Sequence, residues 1–369
     1  MSTLNLSADW THICHFFPSN LDELAKTSGA VSRWRHIKSG EELLRLNLAY
    51  VVDDLSLRST AGWSTGAAMA TIADTSVLHR LRQSAPFLEA VLGHLLSHRI
   101  RGETAAGPAL RLNDATVISI PGSRGTDWRI HAVYDPAATR LVRVQVTDHT
   151  GGERLDRDTY VPGEVVIADR GLAHARGIHA VADAQAFTLL RMHWQNLRLV
   201  TATGDLLVAT DVLRRADQGD TGTIAYVPLP GHDPVLVRLL VRPLPAQRAD
   251  EARRRLRRNA SKKGRTPSAF ALELAGYCCL LTTLPEAVAS DDVVWELYRI
   301  RWQIELFFKR CKSLLHLDAL RADDPQLVRA YCTSKLIEVV LIELLTSEGR
   351  SFSPWGVPRT RRAARLVVA

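Results

Sequence analysis

Val165-Val-Ile-Ala168 is an apolar run without alternation, closed by Asp169-Arg-Gly171. A strand that is apolar on both sides has to be covered on both sides, so this run reads as a strand inside a sheet with helices packed over each face. The fold class that follows is α/β. A polar residue at the carboxyl end of such a strand stands where open α/β sheets place their chemistry. Asp169 is therefore a candidate functional carboxylate, although a single strand-end aspartate also serves as a helix cap or turn former. Gly171 predicts a helix opening there and running through His179 to Ala184.

A second candidate, Asp114, ends Leu110-Arg-Leu-Asn-Asp114 and precedes the apolar, β-branched run Ala115-Thr-Val-Ile-Ser-Ile120. That run reads as a strand entering a core, with Asp114 at its end. Between the two aspartates, Trp128–Tyr134 and Arg140–Val146 alternate as half-buried strands do, with Asp135-Pro136 supplying the turn. The expected order is three antiparallel strands, then one parallel strand ending at Asp169.

Further on, Tyr298, Arg301, Glu305 and Lys312 fall on one predicted helix. At about 100° per residue from Tyr298, Arg301 lies near 300°, Glu305 near 340° and Lys312 near 320°, a stripe roughly 60° wide. Ile300, Ile304, Phe307, Cys311 and Leu314 form the opposite, core-facing side. Alone, the stripe describes a salt-bridged surface helix. With Asp114 and Asp169, however, Glu305 makes a set of acids on separate elements. Three carboxylates that converge stay ionised only when a cation neutralises them. Oxygen-only donors favour Mg²⁺ or Mn²⁺ over zinc. Two such ions about 3.5–4 Å apart can activate a water and stabilise the leaving oxygen of an in-line phosphoryl displacement, which is nuclease chemistry.

The series Tyr298-(2)-Arg301-(3)-Glu305-(6)-Lys312, behind Asp114-Ala-Thr116 and Asp169-Arg-Gly171, resembles the DDE transposases of bacterial insertion sequences, in the branch with that spacing. The resemblance covers about residues 43–345. It implies a ribonuclease-H-like mixed-sheet catalytic core, with an all-helical N-terminal domain and a β-rich insertion before the last catalytic helix. It implies that Asp114, Asp169 and Glu305 are the catalytic metal ligands for two Mg²⁺ or Mn²⁺ ions. Tyr298, Arg301 and Lys312 would grip phosphates at the element's end. Trp302 would help at a flipped base, or else pack at the domain edge. The implied reaction nicks the end, closes a hairpin and reopens it before insertion. The implied partners are the terminal inverted repeats, target DNA and a second copy of the chain in a synaptic complex. A catalytically inactive or truncated copy that represses transposition by occupying the ends is the alternative, and a stand-alone nuclease a third reading. Two positions depart from the family pattern: Ala115 replaces a common Gly or Ser, and Tyr277-Cys-Cys279 stands where some relatives carry a second Trp. Tyr277 remains a candidate base-stacking residue.

Residues 1–104 read as helical: Glu41–Val52, a capped helix from Ser56 to Trp63, and a longer run from Ser76 to His98. They would form either a helix-turn-helix reader with Arg58, Arg80 and Arg82 on phosphates, or a bundle that buttresses the core. The core is assigned to 105–194 and 277–345. Asp169 and Glu305 are 305 − 169 = 136 positions apart, more than the core needs, so an insertion is placed at 195–276. Its expected strands are Thr223–Val227 and Leu236–Val241, bounded by Pro228, Pro230, Pro243 and Pro245. It ends in eight cations within thirteen positions, from Arg253 to Arg265. Arg253, Arg254, Arg257, Lys262 and Lys263 are the candidate DNA contacts, because counterion release rewards such a block. The net charge of +8 agrees with a polyanionic partner. Residues 346–369 read as an irregular basic tail, the mark of a truncated or frame-shifted end. The five cysteines show no CxxC spacing, and His12-Ile-Cys14-His15 lacks a second ligand pair, so neither a disulfide frame nor a zinc knuckle is expected. With no leader, membrane-length apolar run or P-loop, the expected location is the cytoplasm, on the nucleoid.

Overall fold

The computed structural model describes residues 6–100, 108–123 and 125–351. Six helices come first: α1 (Leu6–Ile13), α2 (Leu21–Thr27), α3 (Gly40–Val52), α4 (Leu57–Gly66), α5 (Asp74–Gln83) and α6 (Ala85–Ile100). The Ser39 and Ser56 hydroxyls accept from Glu42 N–H and Ser59 N–H, capping α3 and α4. The run expected from Ser76 to His98 is broken at Ser84. There Asn47 Nδ2 donates to Ser84 Oγ at 3.0 Å, and Pro86 occupies the first turn of α6, where its missing N–H costs nothing.

A sheet then builds in pieces. Its strands are β1 (Leu110–Ile118), β2 (Trp128–Asp135), β3 (Arg140–Asp148) and β4 (Val165–Ala168). After α7 (Ala175–Asp183) comes β5 (Phe187–Arg191), and after α8 (Ala209–Asp217) come β6 (Gly222–Leu229) and β7 (His232–Pro243). Helices α9 (Ala246–Ser261) and α10 (Ala269–Leu274) precede β8 (Tyr277–Thr282), and α11 (Asp291–Ile300), α12 (Trp302–Leu315) and α13 (Pro325–Ser351) close the described chain. The eight strands form one mixed sheet in the order β3-β2-β1-β4-β5-β8-β7-β6. Strands β1, β2 and β3 are antiparallel neighbours, and β4 joins β1 in parallel, as expected. This arrangement fits a ribonuclease-H-like α/β core. None of the described helices is long and apolar enough to cross a membrane.

The unalternating β4 is buried at every position. Val165 and Ile167 enter one apolar core, Val166 and Ala168 the other. The first core lies under α11–α13 and the N-terminal helices, and the second under α7 and α8. Helix α13 packs on α6, α3 and α5, so the N-terminal helices share a core with the end of the catalytic half. Arg82 pairs with Asp324 at 3.2 Å just before α13, Arg80 is half-buried, and Arg58 is exposed.

Several expectations change. Asp114 stands in the middle of β1, because Leu110 and Leu112 already alternate into the core and pair with β4. Asp169-Arg-Gly171 leads into a single 3₁₀ turn, Arg170–Leu172, and α7 starts only at Ala175. The segment read as a β-rich insertion holds two strands between longer stretches of helix, and its strands extend the core sheet: β7 pairs along β8 from Arg238↔Thr282 to Pro243↔Tyr277. Pro228 lies inside β6, tolerated because β6 is the outermost strand. Helix α13 runs to Ser351, six residues into the segment expected to be irregular, and the rest of that tail lies outside the described residues.

Candidate active site

Register places the acids. Asn113 is paired with Ala168 across the parallel β1–β4 ladder, so Asp114 and Asp169 follow at the next matched positions. Both share parity with residues of the helix-covered core, Leu112 and Ile118 on β1, Val165 and Ile167 on β4. Glu305 approaches that face from α12, which packs on β1. Asp114 and Glu305 line one open cleft of about 520 Å³, together with Lys309, Lys312 and Asp318. Lys312 Nζ donates to Val117 O at 2.8 Å, tying α12 to the end of β1.

The stripe from Tyr298 to Lys312 is not one smooth helix. Arg301 N–H bonds Tyr298 O at 3.1 Å and Ile304 N–H bonds Arg301 O at 3.2 Å, three-residue closures that separate α11 from α12. Ile304, Phe307 and Cys311 are buried as expected, but Leu314 is exposed and Leu315 takes its place in the core. The junction sets Arg301 among the acids. Arg301 Nη2 donates to Glu305 Oε1 at 2.6 Å, and the guanidinium lies 5.7 Å from the Tyr298 ring centroid. Tyr298 Oη donates to Asp169 Oδ1 at 3.3 Å. Arg301 Nε is buried without a hydrogen-bond partner.

Burial pushes the Asp114 carboxyl up to about 6. The Ala115 N–H at 2.8 Å and the Arg301 charge work against that shift, while Glu153 and Glu305 add to it. Burial likewise raises Tyr298, helped by the Asp169 charge. For Arg301 burial acts against the cation, but Tyr298, Glu305 and Asp169 outweigh it and the guanidinium is held above its ordinary value. The acids are thus strung around one guanidinium. Asp169 is reached through Tyr298 and does not line the cleft of Asp114 and Glu305. Among the described residues, no three Asp, Glu, His or Cys side chains stand close enough to hold a metal ion. In chemical type the set does suit one: oxygen donors only, and a half-buried Asp114 whose charge is incompletely answered.

The remaining candidates separate. Trp302 is 56% exposed at the start of α12. Tyr277 Oη is committed to both oxygens of Asp217 at 2.8 Å. Arg253 donates to Leu272 O at 3.2 Å and to Asp250 at 3.1 Å, fastening α9 to α10. Arg254, Arg257, Lys262 and Lys263 are exposed, with no side-chain partner among the described residues. Helix α9 leaves from the end of β7, at the sheet edge where β4 ends at Asp169. Sequence reasoning did not single out Glu153, on the loop from β3 to β4, whose charge acts on Asp114, or His193, on which Arg170 and Asp169 act. His193 is depressed by burial and then by Arg170, and Asp169 opposes the shift. None of these residues lies on a periodic segment, and only folding brings them to the aspartates.

The chain is similar to known proteins along most of its length. Residues 105–341, more than half of the chain, match the family described as Transposase DDE domain. The chain is 38% identical over 358 residues to transposase InsL of insertion sequence element IS186A from Escherichia coli K12, covering 95% of this chain and 96% of that one. It is 38% identical over 359 residues to the transposase of IS421 from Escherichia coli, with the same coverage. The transposase of IS231B from Bacillus thuringiensis subsp. berliner is 22% identical, over 89% of this chain and 77% of its own.

Proposed function

The chain belongs to the DDE transposases of bacterial insertion sequences, enzymes that cut and join DNA, and from that membership we propose a two-metal strand-transfer site built on Asp114, Asp169 and Glu305. Two Mg²⁺ or Mn²⁺ ions would supply the activation of a water and the stabilisation of the leaving 3′-oxygen. The protein's own part is orientation and charge. Asp114 and Asp169 present their carboxylates from matched positions of adjacent strands, and Glu305 reaches them from α12. Arg301 turns from Glu305 to a phosphate of the element's end, using the same planar fork for either oxyanion. Tyr298 and Lys312 hold that strand on either side. Trp302 stacks on a base turned out of the helix, which permits the tight bend of a hairpin. The freed 3′-hydroxyl attacks the opposite strand, and water reopens the hairpin before joining to the target. The basic face of α9 tracks DNA leaving the same sheet edge, and two copies bring two ends together.

One observation carries this reading. Arg301, with its Nε buried and unpartnered, binds Glu305 beside the cleft that Asp114 shares, so a donor for phosphate stands next to two of the three proposed metal ligands. The test is incubation of the purified protein with paired-end DNA, with and without Mg²⁺, resolved on a denaturing gel. Hairpinned ends are expected with Mg²⁺ alone and vanish in Asp114→Ala, Asp169→Ala and Glu305→Gln. Nicks without hairpins would leave a nuclease and remove the role given to Tyr298, Arg301 and Lys312.

A further inference from the structure

Two of the three acids are each held by a side chain of the signature stripe. Arg301 Nη2 donates to Glu305 Oε1 at 2.6 Å, a short charge-assisted bond between positions about one helical turn apart. Tyr298 Oη donates to Asp169 Oδ1 at 3.3 Å. Both donors flank the junction of α11 and α12, where the closures at Arg301 N–H and Ile304 N–H break the helix. The Arg301 side chain is 16% exposed and that of Glu305 37%, so the cation is the seated partner and the carboxylate the freer one.

The clasp on Glu305 is incomplete. Nε and Nη2 lie on one edge of a guanidinium and together match two oxygens of a carboxylate or phosphate. Glu305 answers Nη2, while Nε is buried without a hydrogen-bond partner. A buried donor left unpaired costs stability, so an oxyanion that takes both nitrogens has the advantage over a carboxylate that takes one. The acids, as they stand, do not fit a divalent cation. Among the described residues no three such side chains are close enough to hold one, and Asp169 does not line the cleft shared by Asp114 and Glu305. A guanidinium bonded to Glu305 also sets a like charge against any metal ion arriving there.

We infer that Arg301 is a latch on this site: in the DNA-free chain it keeps Glu305 from joining Asp114 and Asp169, and a phosphate of the element's end releases Glu305 by taking both nitrogens of the guanidinium edge. Tyr298 restrains Asp169 in the same way with a single bond. The inference rests on the metal-ligand reading of the three acids and adds an order to it, DNA first and the cation second. The cation site is then completed only where a strand lies ready to be cut. Coupling of this kind is reciprocal, so the cation tightens DNA by the factor by which DNA tightens the cation. If the Arg301–Glu305 pair merely stiffened α12, its loss would lower the melting temperature and leave cation affinity unchanged.

The test is a Mn²⁺ titration of the full chain, followed by the paramagnetic resonance signal of free Mn²⁺, without DNA and with a duplex bearing a pre-cleaved element end, the binding by DNA alone being subtracted. The variants are Arg301→Met, Tyr298→Phe, Lys309→Met and Asp114→Asn, each with circular dichroism and a thermal melt. DNA is expected to tighten Mn²⁺ binding by the parent about ten-fold or more, and Mn²⁺ to tighten DNA equally by fluorescence anisotropy. Arg301→Met should bind Mn²⁺ about ten-fold tighter than the parent without DNA, leaving DNA little to add. Tyr298→Phe frees Asp169 with no change of charge and should tighten binding roughly three-fold; it decides the matter if Arg301→Met does not fold. Lys309→Met removes a cation from the same cleft that is bonded to neither acid, and should stay within about two-fold of the parent. Equal gains in Arg301→Met and Lys309→Met would assign the effect to charge alone and overturn the latch. A parent that binds Mn²⁺ equally with and without DNA also overturns it, and leaves the metal site standing. No saturable binding even with DNA, or unchanged binding in Asp114→Asn, overturns the metal reading and the latch with it.

Discussion

Burial holds the Asp114 carboxyl near 6 while the same group in an unfolded chain titrates near 3.8. Between those values the folded protein keeps a proton that the unfolded chain has released. Stability contributed by this group is therefore complete below about pH 4 and is lost as pH rises through about 6. Above that the ionised Asp114 costs on the order of 2–3 kcal/mol, from a shift of about two units at 1.36 kcal/mol each. A chain that needs a carboxylate here for chemistry accepts that cost in its fold. Asp114→Asn is predicted to unfold at higher urea than the parent at pH 7.5, by about 2 kcal/mol, with the gap closing near pH 4. Equal midpoints at pH 7.5 would sink this account. The Ala115 N–H, and after it the charge of Arg301, explain why the cost is not larger, since both pull the carboxyl back down.

At the scale of elements, the break between α11 and α12 has a consequence for Trp302. A continuous helix would have carried the stripe smoothly past this residue, whereas the tight closures at Arg301 leave Trp302 exposed at the first position of α12, three residues before Glu305. A side chain so open adds little to stability, so Trp302→Ala is expected to shift the thermal midpoint by less than about 0.5 kcal/mol equivalent. If the ring stacks on a displaced base, worth about 1–3 kcal/mol, hairpin yield should fall by roughly ten-fold or more while first-strand nicking persists. Equal loss of nicking and hairpins would show a structural role instead. The strands were legible because their signals are local. Period-two alternation marked β2 and β3, and the two-sided run Val165–Ala168 marked β4. What stayed hidden depends on distant pairing. Nothing near Arg238 tells it to lie beside Thr282, so the insertion read as an appendage rather than a continuation of the sheet. Asp114 was placed at a strand end because Arg111 and Asn113 dilute the apolar signal of its first half, and Glu153 sits where no period exists.

For the whole molecule, the sheet order decides how the pieces share work. Because β7 and β8 extend the core, the end of β7 reaches the same edge as Asp169, and α9 departs from there with its cations outward. The apolar core beneath the opposite helices runs from Trp10 to Ile342, which fixes that edge against the N-terminal helices as well as α13. On the proposed reading, DNA held at the cleft of Asp114 and Glu305 would run on along the charged helix. Among the described residues, Arg254, Arg257, Lys262 and Lys263 have no side-chain partner to release on binding, so each phosphate they neutralise should appear in the salt dependence. Duplex DNA loses about 0.9 in the slope of log K against log salt for each such contact. Replacing the four residues with Gln should flatten that slope by up to roughly 3.6, with Arg253→Gln expected to act through stability instead, because its fork holds α10. The effect should be the same for an element end and for unrelated duplex, since phosphate contacts carry no sequence. A slope within about 0.5 of the parent in the fourfold variant, measured by fluorescence anisotropy across a salt series, would put the DNA elsewhere on the molecule and leave the basic helix as a solvated face.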